Sequence, residues 1–244
     1  MNTEHPSPAT PDSRPGVFLV FEGGDGSGKS TQTRRVAEAL EEQGLEVVLT
    51  REPGGTPIAE ELRSLVLDPA NAPVDDRTEA LLYATARSSH VHRVILPALQ
   101  RGAVVVCDRF VDSSLAYQGV GRGLGIDTVA RLNAFGTEGL LPDLTVVLDA
   151  PAELGRIRRG ERSETEDRLE AEPDSFHSTV RSTFLELAAQ APERYLVLDA
   201  TRSAADLTAA VLHALEPLLT SADGAVTTEA GEPAVGHKNA EERA

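Results

Sequence analysis

The stretch Val17-Phe18-Leu19-Val20-Phe21-Glu22-Gly23-Gly24-Asp25-Gly26-Ser27-Gly28-Lys29-Ser30 says more about the fold than any other part of the chain. Its first five residues are apolar, as in a strand of a parallel sheet buried on both faces. Gly23-x4-Gly28-Lys29-Ser30 follows, and a helical pattern runs over Ser30–Gln43. Strand, glycine-rich turn and helix in that order are the setting a phosphate-binding loop requires. The glycines let successive backbone N–H groups turn inward on an anion, and the helix N-terminus adds its partial positive charge. Lys29 is placed to reach the β- and γ-phosphates of a nucleoside triphosphate, and the Ser30 hydroxyl to ligate Mg2+. Gly23, Gly24, Asp25, Gly26, Ser27, Gly28, Lys29, Ser30 and Thr31 form the expected nucleotide-binding set. A carboxylate at Asp25 is repelled by phosphates unless it faces away, toward Mg2+ or toward a second substrate.

Outward from the loop, short apolar runs recur at Leu45–Thr50, Ala103–Cys107, Leu144–Leu148 and Tyr195–Leu198. Helical patterns lie between and beyond them, at Ile58–Leu67, Thr78–Arg101, Ile126–Glu138, Ala152–Arg159, Ser175–Gln190 and Ala204–Leu219. The alternation predicts an α/β chain of the P-loop NTPase class: a parallel five-stranded sheet flanked by helices. Residues 155–172 depart from the pattern, being densely charged, with five arginines and no wide apolar face. The kinase-like domain is read as 16–220, with that segment as an arginine-rich lid. Residues 1–15, with four prolines, and residues 221–244 show no burial pattern and read as disordered tails.

Composition narrows the class. The formal net charge is −16, from 39 acidic and 23 basic residues, which disfavours a nucleic-acid partner. No apolar run is long enough for a membrane span, and the N-terminal residues lack the apolar core of a signal peptide. The sole cysteine, Cys107, permits no intrachain disulfide. The reading is a soluble cytoplasmic protein. His90 and His92, two apart on a helix, do not share a face and form no metal site.

Other motifs sit just beyond the strands, where open α/β sheets bind ligands. Arg51-Glu52-Pro53-Gly54-Gly55-Thr56 follows the second strand. Alone it reads as a Pro-Gly turn; in register with the phosphate loop, Arg51 becomes a two-pronged partner for a phosphate. Asp108-Arg109-Phe110 follows the third strand, so Asp108 is a candidate Mg2+ ligand and Arg109 faces an acceptor phosphate. Tyr83 and Arg87, four apart on a helix, are able to stack on and hydrogen-bond a base, although Tyr83 by itself reads first as core. Arginines of a closing lid stabilise the charge that spreads over a transferred phosphoryl group and exclude water.

With Ala116-Tyr117-Gln118-Gly119 and Asp167-Arg168-Leu169-Glu170, these motifs over residues 16–218 resemble the thymidylate kinase family. The resemblance implies transfer of a phosphoryl group from ATP to dTMP, with Mg2+, in the supply of dTTP. It implies that Asp25 contacts the dTMP 3′-hydroxyl and influences Mg2+, and that Arg51 and Arg109 hold the dTMP phosphate. It further implies that Tyr83 stacks on thymine, Arg87 bonds the base, Ser114 lies near the base, Tyr117 crowds the sugar C2′, and Gln118 is adjacent. A cis bond before Pro53 and a homodimer built on Thr78–Arg101 and Ile126–Glu138 come with it. No arginine lies inside the loop, so the chain resembles the branch whose catalytic arginine sits in the lid, with Arg158, Arg159 and Arg162 as candidates. A deoxynucleoside kinase is the same-fold rival, set aside because Arg51 and Arg109 suit an acceptor already bearing phosphate. A GTP-dependent switch is the rival of another class, and the Asn-Lys-x-Asp segment it needs is absent.

Overall fold

The computed structural model of the chain describes residues 15–160 and 167–225. Strands β1 (Val17–Glu22), β2 (Val47–Arg51), β3 (Val104–Asp108), β4 (Leu144–Asp149) and β5 (Tyr195–Asp199) form one sheet in the order β2-β3-β1-β4-β5. Every pairing is parallel, as expected. Each strand runs one residue past its apolar stretch and ends on a charged side chain: Glu22, Arg51, Asp108, Asp149 and Asp199. A parallel sheet puts all of these ends on one edge. The order also makes the chain leave β1 toward β3 and β2 and later return toward β4 and β5. The crevice for a ligand therefore lies at the ends of β1 and β3.

Burial on both faces holds for β1, β3 and β4 but not for β2 and β5, which are the sheet edges and are half exposed. On one face, Leu19, Phe21, Val106 and Val146 pack against Val36 and Leu40 of α1 (Lys29–Glu42) and Val211 and Leu215 of α9 (Ala204–Ala225). On the other, Phe18, Val20 and Val105 meet Val91, Ile95 and Leu99. The alternation of Phe18 and Val20 with Leu19 and Phe21 is the period-two pleat of a strand with two buried sides.

Between β2 and β3 lie α2 (Pro57–Leu67) and a long helical run. The helix expected over Thr78–Arg101 is not uniform: α3 (Asp76–His90) passes through a π-helical turn, Val91–Ile95, into α4 (Leu96–Gln100). Pro97 is the physical reason, since it has no N–H to give and its ring presses on the carbonyl four residues earlier; a widened turn relieves both. After β3 the backbone coils as α5 (Val111–Ser114) and a second π-helical stretch, Leu115–Gly121, which the sequence pattern did not reveal. Two serines and two glycines dilute its apolar periodicity. Next come α6 (Ile126–Thr137), α7 (Ala152–Gly160) and α8 (Asp174–Gln190). The final helix continues to Ala225, past Leu219, where its apolar periodicity ends. Of the expected tails, 1–14 and 226–244 lie outside the described residues.

Candidate active site

The loop after β1 is built as its glycines require. Gly23, Gly26 and Gly28 all have positive φ. At Gly26 a Cβ would stand 2.4 Å from the Gly155 carbonyl oxygen, so two glycines let α7 lie directly on the loop. Lys29 is buried, and its Nζ donates to the carbonyls of Gly23 (3.1 Å) and Gly24 (2.9 Å). Burial first, then repulsion from Arg109, lowers the Lys29 ammonium to about 8, against the pull of Asp108, Asp25 and Glu22. The Ser27 hydroxyl is buried with no hydrogen-bond partner. Thr31 is exposed in the first turn of α1.

Ser30 Oγ donates to Asp108 Oδ2 at 2.8 Å, which brings the two expected Mg2+ ligands together although 78 residues separate them. A hydroxyl and a carboxylate are hard oxygen donors that suit Mg2+, an ion that leans on one or two carboxylates, waters and substrate phosphates. Among the described residues no His, Cys, Asp and Glu cluster of three or more forms a metal cage. The donor set thus fits an ion shared with a triphosphate.

A cavity of about 360 Å³ opens beside the loop, in the range of small-ligand sites. Asp25, Arg51, Pro53, Tyr83, Arg87 and Arg109 line it, and Ser114, Tyr117 and Gln118 complete the expected acceptor set. Arg109 is the hub. It has a φ of 72°, rare for a residue with a side chain. Its Nη2 donates to Asp25 Oδ1 (2.5 Å), its Nη1 to the Gly23 carbonyl (3.1 Å), and its guanidinium lies 5.3 Å from the centre of the Tyr117 ring. The Tyr117 hydroxyl donates to the other Asp25 oxygen at 2.9 Å. Asp25 therefore faces away from the phosphate cradle, toward the acceptor cavity. Burial above all pushes the Tyr83 and Tyr117 phenols up, so both stay neutral hydrogen-bonding groups.

The base-side residues are held by a buried ionic cluster. Arg87 donates to Glu52 Oε2 (2.6 Å), Ser114 Oγ (2.9 Å), the Phe110 carbonyl (2.9 Å) and the Asn133 side chain. Glu52 also contacts His90 Nδ1 at 2.9 Å, so His90 serves the core rather than a metal. The Glu52–Pro53 bond is cis. Arg51, half exposed, makes a two-pronged pair with Glu60 of α2 at 2.7 and 3.0 Å. Gln118 donates to the fully buried Glu79 at 2.8 Å.

The sequence reading missed Arg63 and the placement of two quoted motif residues, Arg168 and Glu22. Arg63 of α2 lines the cavity and donates to the Pro53 carbonyl at 3.0 Å; a cation on the inner face with Ala59 and Val66 was the available signal. Arg168 donates through Nε to the Val66 carbonyl (3.0 Å) and sits 2.6 Å from Glu79, so the segment before α8 is strapped to α2 and α3. Asp167, Leu169 and Glu170 of that segment line the cavity. Glu22 is fully buried beneath Arg109. On the outgoing side of the lid, Arg158 reaches the Gly26 carbonyl at 3.4 Å and the Ala200 carbonyl at 3.2 Å. The Arg159 side chain and Arg162 lie outside the described residues.

A family model described as Thymidylate kinase matches residues 21–211. The thymidylate kinase of Pediococcus pentosaceus is 48% identical over 206 residues, which is 84% of this chain and 99% of that relative. The thymidylate kinase of Enterococcus faecalis is 51% identical over 191 residues, 77% of this chain and 90% of the relative. The crystal structure of thymidylate kinase from Ehrlichia chaffeensis is similar with a TM-score of 0.66 at 32% identity, covering 82% of this chain and 99% of that one. A family match spanning most of the sheet, and relatives near half identical along nearly their whole length, mean that this chain belongs to the thymidylate kinase family.

Proposed function

We infer that this chain transfers the γ-phosphoryl of ATP to dTMP, giving ADP and dTDP on the way to dTTP. The observation that carries the reading is the junction of the two half-sites: one cavity holds Lys29 and Ser30 of the phosphate loop and Arg109 with Asp25 and Tyr117. An oxygen of the dTMP phosphate forms the new P–O bond, and the bond from the γ-phosphorus to the bridging oxygen of ADP breaks. That acceptor oxygen is ionised at neutral pH, because the second phosphate pKa is about 6, so no general base is needed. Cations to bring two anions together are needed, and the cavity supplies them.

Lys29 and the loop amides bind the ATP phosphates. Ser30 and Asp108 would hold Mg2+, which when bound neutralises charge between the phosphates; Asp25, whose two oxygens take Arg109 and Tyr117, would influence the ion by its charge while it meets the dTMP 3′-hydroxyl. Arg109 and Arg51 hold the acceptor phosphate. Tyr83 stacks on thymine, Arg87 and Ser114 read its edge, and Tyr117 and Gln118 bound the sugar, with Pro53 shaping the wall. One of Arg158, Arg159 and Arg162 meets the charge on the transferred group. The position of Arg158 against Gly26 supports the lid as its source.

The functional assembly is a homodimer in the cytoplasm, where both nucleotides are drawn from. Phe135 on α6, with 90% of its surface exposed, and Leu81 on α3, 53% exposed, support a subunit contact there. No helix among the described residues is long and apolar enough to cross a membrane. Residues 16–220 carry the kinase activity, with 155–172 as its lid, and the flanking tails are dispensable for turnover. The deciding measurement is ADP release with ATP, Mg2+ and a panel of dTMP, dUMP, dCMP, dAMP, dGMP and thymidine. We expect dTMP to have the highest kcat/KM; equal or better use of any other acceptor refutes the substrate assignment.

A further inference from the structure

Glu22 ends β1 and immediately precedes the phosphate loop, yet its side chain does not face the loop. It is fully buried and accepts three hydrogen bonds from the turn after β3. Oε1 takes the amides of Phe110 (2.8 Å) and Ser113 (3.1 Å), and Oε2 takes the Ser113 hydroxyl at 2.6 Å. Having given its proton to Glu22, Ser113 Oγ accepts from Arg109 Nη1 at 3.1 Å. With Glu22 ionised, a one-way relay therefore runs from Arg109 through Ser113 to Glu22. The backbone is held as well: Arg109 N donates to the Phe21 carbonyl at 2.9 Å, and the next amide is pinned by Glu22. Arg109 is thus bracketed on both sides in a conformation with positive φ, which persists only under such constraint.

We propose that Glu22 is a positioning residue for phosphoryl transfer, holding Arg109 through Ser113 and the Phe110 amide so that its guanidinium bridges the phosphate loop and the acceptor. The inference rests on the assignment of Arg109 to the acceptor phosphate. Glu22 touches no substrate; it acts by denying Arg109 other orientations. A purely structural role, capping the exposed amides at the start of α5, is separable from this. In Glu22→Gln the remaining oxygen keeps both amides, so the cap survives. The new NH2 group, however, points at Ser113 Oγ, which then faces two donors and has no acceptor for its own proton. The relay to Arg109 is broken while the turn stays capped. Ser113→Ala cuts the same relay from the other end.

The test is steady-state kinetics at pH 8, where Glu22 is ionised, with both substrates varied, for Glu22→Gln, Ser113→Ala, the double variant and Arg109→Met, alongside thermal unfolding. Loss of one hydrogen bond to a charged group corresponds to about 10- to 100-fold in rate or affinity. We expect Glu22→Gln and Ser113→Ala each to lose about that much in kcat/KM for dTMP, with KM for ATP within about twofold of wild type. The double variant should be no worse than the poorer single one, since both remove one tether. A folded Glu22→Gln protein with wild-type kcat/KM for dTMP overturns the proposal, as do losses that multiply in the double variant. If Glu22→Gln does not fold, Ser113→Ala decides the matter by the same criterion. Arg109→Met separates the two levels: wild-type use of dTMP by that variant refutes the acceptor assignment itself, whereas an impaired Arg109→Met beside a normal Ser113→Ala refutes only the role of Glu22.

Discussion

The carboxyl of Glu22 should make the stability of this protein fall as pH rises through neutrality. Burial first, and the nearby Asp112 carboxylate second, raise it from 4.5 to about 7, against Arg109, Ser113 and the Phe110 amide. Asp112 is itself raised by burial, despite the hydrogen bond from Tyr195. Lys29 of α1, Cys107 of β3 and Tyr195 of β5 also feel the Glu22 charge. A group whose pKa is higher folded than unfolded holds its proton more tightly in the native state. Its contribution is complete below 4.5 and gone above 7. The full shift, 7 − 4.5, corresponds to about 3 kcal/mol, most of it lost between pH 5 and pH 8. The assay is urea unfolding of wild type and Glu22→Gln at both pH values in one buffer system. Other titrating groups are common to the two proteins, and Asp112, relieved of its neighbour, changes in the same sense. The stability difference between wild type and variant should move by about 2 to 3 kcal/mol in favour of the variant from pH 5 to pH 8. A difference constant to about 0.5 kcal/mol would show that Glu22 ionises in the folded protein as it does in water, and the argument from burial would fail.

Further outcomes follow from the same geometry. Arg87→Met strands Glu52 as a buried charge beside His90 and should cost about 3–5 kcal/mol in urea unfolding; a loss under about 1 kcal/mol would mean that the cluster is not held by its charge. Among Arg158→Ala, Arg159→Ala and Arg162→Ala, at least one should lower kcat by about 100-fold with little change in ATP affinity, and unchanged kcat in all three removes the lid mechanism. Phe135→Glu should shift the protein from dimer to monomer in light scattering after size exclusion; a dimer that persists, or a wild type that is already monomeric, rejects the α3/α6 contact. Deletion of residues 1–14 and 226–244 should leave kcat/KM for dTMP within about twofold, because neither stretch has a pattern of burial to lose; a large loss contradicts the assigned domain limits.

The sequence by itself determined whatever depends on neighbours along the chain. The phosphate loop is eight consecutive residues after an apolar strand, so its curl, its glycines and its helix N-terminus are set locally. The five apolar runs and their helical spacers determined a parallel sheet, and the phosphate loop and the motifs opening on Arg51 and Asp108, just beyond three of the runs, marked the functional edge. Chain-local reading also put Asp108 and Arg109 at a strand end and Tyr83 and Arg87 on one helix face. Only the tertiary structure decided the strand order, the half-exposed state of β2 and β5, and the π-helical turns. It alone decided which charges meet. Glu22 and Ser113 are 91 residues apart, Arg87 and Glu52 35 apart, and Arg168 meets Glu79 and Val66 only because the lid segment folds back over α2 and α3. A buried carboxylate and a solvent-facing one are the same letter in a sequence. Their partners, and therefore their pKa values and their roles, are fixed by packing across the sheet, where spacing along the chain carries no information.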